Sequence, residues 1–183
     1  MPVENPYQSP RGAAELATTA EFEPVWISSI GHLEAFERAY WKTPFLRRHA
    51  GAFDLPDGFP YLRGFCMWKV PLVFYASGQL QIERNRIAFC ARPFKLPMNS
   101  VRNLTEDFEF ALSGEEIESI KLFEFHSPVA RYFNLVFVRI QTNLAAELAD
   151  VLMCIGGGGP FMGKLRRRNK QFYGEISAAF PEL

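Results

Sequence analysis

The 183 residues carry 20 Lys and Arg against 20 Asp and Glu, so the formal net charge is zero and no whole-molecule pull toward nucleic acid is expected. The hydrophobic fraction of 48% is enough for a real core, and 18 phenylalanines suit a small, tightly filled one. No stretch reaches the roughly 18 apolar residues of a membrane span, and no basic start followed by an apolar run marks a signal peptide, so a cytoplasmic location is expected.

Residues 1–24, rich in Pro, Ala, Glu and Thr and without periodicity, read as a disordered or loosely ordered N-terminal tail. Residues 25–61 read as a helical appendage and loop. Within them 28–49 is helical: Ser28 or Ser29 can cap the start, and Leu33, Phe36 and Tyr40 follow at helical spacing with Trp41 beside them. Arg47, Arg48 and His49 suit the negative end of the helix dipole, while Pro44 kinks or ends the helix early. Trp26, Trp41 and Phe45 are expected to pack, since leaving them in water would expose a large apolar patch.

Residues 62–183 read as a β domain with C-terminal helices. An apolar run from Val70 to Ala76 is followed by a turn at Ser77-Gly78. Leu80 and Ile82 then alternate with polar residues, Arg84-Asn85 turns, and Ile87 and Phe89 resume the alternation. A short strand is expected over Val101–Leu104. Phe108, Phe110 and Leu112 alternate, Ser113-Gly114 turns, and Ile117–Phe125 and Tyr132–Thr142 continue the strand pattern. Leu144, Leu148, Val151, Leu152 and Ile155 mark one face of a helix with Asn143 as N-cap and Gly156 after its end. A second helix over roughly Met162–Phe180 carries Leu165, Phe172, Ile176 and Phe180.

From Val70 to Ile155 this order resembles the pleckstrin-homology superfold with its GRAM-like and bacterial PH-like branches. The residues that carry the resemblance are the hairpin Gly78–Ile82 to Arg86–Phe89, the step Ile117–Ile120, the strand Phe137–Thr142 and the helix after it. The resemblance implies an α+β, mainly antiparallel fold. Its PH-like barrel of about seven strands is capped by a C-terminal helix; the extra N-terminal helix and the final basic helix expected here lie outside the family pattern. Members of that superfold bind phosphoinositides, peptides or partner proteins, and many bind nothing known, so the resemblance points to binding rather than reaction and fold alone does not fix the ligand.

Several motifs bear on chemistry. Gly158–Lys164 has P-loop spacing, but Leu165 stands where Ser or Thr should hold Mg²⁺, Pro160 lacks an N–H, and a helix rather than a strand is expected before it; nucleotide binding is not expected. Lys164, Arg166, Arg167, Arg168 and Lys170 make a basic stretch, and Arg84 and Arg86 flank the first hairpin tip; together they are the candidate contact for an anionic ligand or membrane. The ordinary reading of both is a solvated, charged surface. Glu106, Asp107, Glu109, Glu115, Glu116 and Glu118 make an acidic stretch that reads as a polar sheet face. His32, His49 and His126 are too scattered to hold a metal. Cys66, Cys90 and Cys154 are odd in number and set apart in apolar surroundings, which reads as buried free thiols in a reducing compartment.

No catalytic residue, cofactor or metal is assigned. The leading expectation is a non-catalytic module for a protein partner or self-association. The alternatives are anionic-lipid binding through the basic C-terminal helix, peripheral at the inner membrane face, and an enzyme with an unrecognised site. Nucleic acid is not an expected partner.

Overall fold

In the computed structural model, residues 20–63, 69–93, 100–126, 134–144, 148–156 and 162–183 are described. The chain enters on a strand, β1 (Ala20–Ser28), in which Val25 and Ile27 turn to one side and Trp26 to the other. Helices α1 (Ile30–Lys42) and α2 (Phe45–His49) follow, then two short strands, β2 (Tyr61–Arg63) and β3 (Lys69–Pro71). The hairpin β4 (Ala76–Glu83) and β5 (Arg86–Ala91) leads through β6 (Ser100–Arg102) to β7 (Glu109–Ser113) and β8 (Ile117–His126). The last strands are β9 (Asn134–Thr142) and β10 (Asp150–Ile155), before the long helix α3 (Met162–Ala179).

Seven strands form one antiparallel sheet in the order β7-β5-β4-β1-β10-β9-β8, and β3-β2-β6 form a second. The fold is α+β and mainly antiparallel, with a C-terminal helix. The large sheet is open, with β7 and β8 as its edges, where the sequence implied a closed barrel. Burial on its first face is completed by α3 instead of by closure: Phe172, Ile176 and Phe180 pack with Leu80, Ile82, Ile140, Val151 and Met153. The second face buries Trp26, Phe137, Leu152 and Cys154 against Leu33 and Phe36 of α1 and against Phe59 and Phe74. Each such side chain contributes about 1.5–3 kcal/mol when fully taken from water.

Helix α1 starts where the sequence places it. The Ser29 hydroxyl accepts the His32 N–H at 3.1 Å. It stops at Thr43, held extended by the proline that follows; the buried Thr43 hydroxyl donates to the Ala39 carbonyl at 2.8 Å and accepts the Asp54 N–H at 3.0 Å.

Four local expectations need correction. Residues 20–24 of the expected tail belong to β1, with Pro24 at the register break between Phe22 and Val25, where a residue without N–H costs no ladder bond; residues 1–19 lie outside the described residues. Val25–Ser28, read as the start of the helical appendage, pair instead with β4 and β10 in the middle of the large sheet. Ser77-Gly78 is not a turn but lies inside β4, where the close approach of β5 leaves room only for glycine: a Cβ there would lie 2.7 Å from the Ala91 Cα. The expected helix over Leu144–Ile155 is a loop followed by β10. Val151 and Leu152, neighbours on one face of a helix, point to opposite faces of the sheet, because β10 is an inner strand buried on both sides. The two local signals read as its caps are real but serve other ends. Asn143 donates from its side chain to the Glu115 carbonyl at 3.0 Å, and Gly156 takes φ 84° at the close of β10.

Candidate functional site

The basic residues named from sequence do not converge. Arg84 and Arg86 are exposed on either side of Asn85, the positive-φ residue of the β4–β5 turn. The Asn85 N–H donates to the Ala179 carbonyl at 2.8 Å, which fixes this turn beside the last turn of α3. Arg86 stands 3.9 Å from Glu83. Arg166, Arg167, Arg168 and Lys170 are exposed on the first half of α3; the Lys164 side chain lies outside the described residues. From Arg166 to Ala179 the helix rises about 20 Å, so the two basic groups sit toward opposite ends of α3. Arg166 is already engaged, with its guanidinium 2.5 Å from a Glu124 carboxylate oxygen on β8.

The Gly158–Lys164 loop falls largely outside the described residues. The element before it is β10, a strand, so the expected preceding helix is no longer an objection to phosphate binding. Leu165 and Pro160 still are, and β10 lies between antiparallel neighbours, unlike the parallel strand that opens a P-loop.

Cys90, expected to be buried, is exposed on the outer face of β5, because it alternates with the inward Phe89 and Ala91. Cys154 is fully buried, and burial pushes its thiol up, away from the reactive thiolate. Cys66 lies outside the described residues. His32 is wedged between Phe59, with rings stacked at 4.8 Å, and Tyr75; its Nε2–H donates to the Leu72 carbonyl at 3.0 Å. Burial lowers its pKa, only partly opposed by that hydrogen bond. Among the described residues no three His, Cys, Asp or Glu side chains gather as a metal-holding group, and no helix is long and apolar enough to cross a membrane.

The strongest surface feature is one the sequence reading placed inside. Trp41 is 59% exposed, Phe45 63% and Leu46 80%, although Trp26 is buried as expected. The cause is local. The buried stripe of α1 runs through Leu33, Phe36 and Ala39, and Trp41 stands about 140° round the helix from Phe36. Pro44 then breaks the helix, and α2 carries Phe45 and Leu46 outward on a short protruding corner. Gly51, with φ 67°, turns the chain back; its N–H donates to the Arg48 carbonyl at 3.0 Å.

Charge surrounds this corner asymmetrically. Residues 38–53 contain Arg38, Lys42, Arg47 and Arg48 and no carboxylate. Arg38 pairs with Glu34 at 3.6 Å and Arg47 with Asp54 at 2.6 Å, both across solvent-exposed side chains where such pairs contribute little. The Arg48 guanidinium lies over Tyr40 at 4.8 Å and Trp41 at 5.3 Å, and its buried Nε has no hydrogen-bond partner among the described residues. An open groove of 670 Å³ lined by Arg38, Lys42, Arg47, Asp54 and Lys69 runs beside it. A second open groove, of 480 Å³, lies on the outer face of β4, β5 and β7. Its lining includes Ala88, Ala111, Cys90, Gln81 and Glu109.

The corner was legible only in part: a helical wheel through Leu33, Phe36 and Ala39 puts Trp41 outside, but nothing local says that α2 leaves every one of its side chains short of burial. No protein-family model, curated protein or solved structure matches the chain.

Proposed function

We propose that the protein is a non-catalytic binding module on a pleckstrin-homology-like framework, and that its docking surface is the α1–α2 corner. The framework reading draws support from seven antiparallel strands in one sheet, followed directly by a helix that packs across one face. The docking reading is carried by one observation: Trp41, Phe45 and Leu46 stay in water in a molecule that buries one face of its main sheet under α3 and part of the other against α1. Exposed Trp and Arg side by side are the residue types that dominate binding energy in interfaces. Two of the groups that could do chemistry are otherwise held, His32 by its wedge and Cys154 by burial.

The alternative, an anionic lipid held jointly by Arg84, Arg86 and the basic stretch of α3, has less support. Multidentate phosphate recognition needs charges that converge, and these are spread along about 20 Å of helix.

A photo-crosslinking residue placed at Leu46 and, as control, at the exposed Ala178 of α3 tests the docking reading in living cells. Adducts at position 46 that are missing at 178 are expected. Equal labelling at both positions, or none at either, would remove the corner as a docking surface.

A further inference from the structure

The charges of this chain sum to zero but are blocked along it. Residues 38–53 carry four cations and no acid, while residues 106–118 carry six acids, Glu106, Asp107, Glu109, Glu115, Glu116 and Glu118, and no cation. The first block adjoins the protruding apolar corner of Trp41, Phe45 and Leu46, whose α1 side also carries Glu34 and Glu37 in the hollow beside Trp41. The second brackets β7, an edge of the large sheet, and the 480 Å³ groove beside it.

From this we infer that the docking partner of the corner is a second copy of the same chain, which receives the Trp41–Leu46 corner in its β4–β5–β7 groove; the inference rests on the corner being a docking surface. The two surfaces are complementary in three respects. The corner is convex, with Leu46 at 80% exposure, and the groove is concave. The groove is lined in part by Ala88 and Ala111, small side chains that leave room for a large one. The corner carries Lys42 and Arg48 without a carboxylate partner among the described residues, and the groove offers Glu109 on β7, exposed and likewise unpaired among them. The one cation lining the groove, Arg92, is turned aside: its guanidinium donates to the Gln79 side-chain carbonyl at 2.5 Å, and the Gln79 amide donates to Glu21.

Such a contact is head-to-tail. Each contact leaves a free groove on one copy and a free corner on the other, so assembly runs on into rings or filaments. The charges make it weaken with salt, because exposed pairs are screened.

Sedimentation velocity of the full chain over about 1–100 µM, at low and high salt, reads the association directly. Two variants at exposed positions separate the surfaces: Trp41→Ser with Leu46→Ser on the corner, and Ala111→Arg in the groove. Each variant alone should raise the dissociation constant about tenfold or more. Mixed together they should give a one-to-one dimer that grows no further, since one supplies an intact groove and the other an intact corner. That dimer is the result that sets this inference apart. A monomer at every concentration in low salt overturns it. So does association lost in the corner variant and kept in the groove variant, which would mean corner meets corner. Binding of a monomeric protein to vesicles of equimolar phosphatidylcholine and phosphatidylglycerol, lost in the corner variant, overturns it in favour of a bilayer and leaves the docking reading standing. Absence of self-association, vesicle binding and crosslinks at position 46 removes both.

Discussion

His32 ties one side chain to the pH behaviour of the whole fold. Its ring is held between aromatic neighbours with Nε2–H on the Leu72 carbonyl, and burial lowers its pKa from 6.5. The unfolded chain therefore takes up a proton more readily than the folded one, and stability falls as pH drops below 6.5. Melting temperatures measured from about pH 7 to about pH 5 should decline less steeply in His32→Gln than in the parent, even though the variant starts lower for want of the ring stack. Parallel declines would mean that His32 is not the group responsible. Gly78 is the second residue whose environment decides its identity. Adding a Cβ drives it into the Cys90 carbonyl and the Ala91 Cα, so Gly78→Ala should cost about 2 kcal/mol, read by denaturant unfolding. At this scale much was legible in the sequence. Ser29 as a cap and Asn85 as a turn residue follow from side-chain chemistry that acts over three or four residues. Gly78 was not legible, because what excludes a side chain there comes from another strand.

Elements divide by whether one face or two are buried. β5 and β7 alternate between core and solvent, and the period of two announces them. β10 is covered on one face by α3 and on the other by α1, so Val151, Leu152, Met153 and Cys154 are all buried and the alternation disappears. An apolar run flanked by Leu144 and Leu148 then imitates a helix, and only the neighbouring strands resolve it. The helix that does pack on the sheet, α3, is tied to β10 by Asn169. Its side-chain oxygen accepts the Ile155 N–H at 2.8 Å, and its amide donates to the Ile155 carbonyl at 3.4 Å. Asn169 is 4% exposed, so Asn169→Leu leaves those backbone groups at the end of β10 without it; a loss of about 1–3 kcal/mol is expected in chemical unfolding. A change within error would mean that water replaces the amide.

Across the whole molecule, burial and exposure separate what folds the chain from what it offers outward. Replacing Trp41, Phe45 and Leu46 together by Ser should leave the melting temperature within a few degrees of the parent, because exposed side chains change stability by only about 0.5 kcal/mol each. A large drop would show that the corner is structural. The same contrast explains why the site was harder to read than the fold: hydrophobic patterning reports that Trp41 is apolar, and only the placement of α1 on the sheet reports that most of it stays in water. The position of β1 has a further consequence, in time. It is the seam between β4, which continues into β5 and β7, and β10, which continues into β9 and β8; Val25 pairs with Gly78 on one side and with Ile155 on the other. During synthesis the first of these strands must wait, half-satisfied, until β10 has left the ribosome. Closing so long a loop places the rate-limiting entropy late in folding, and slow, millisecond-to-second kinetics follow from topology alone.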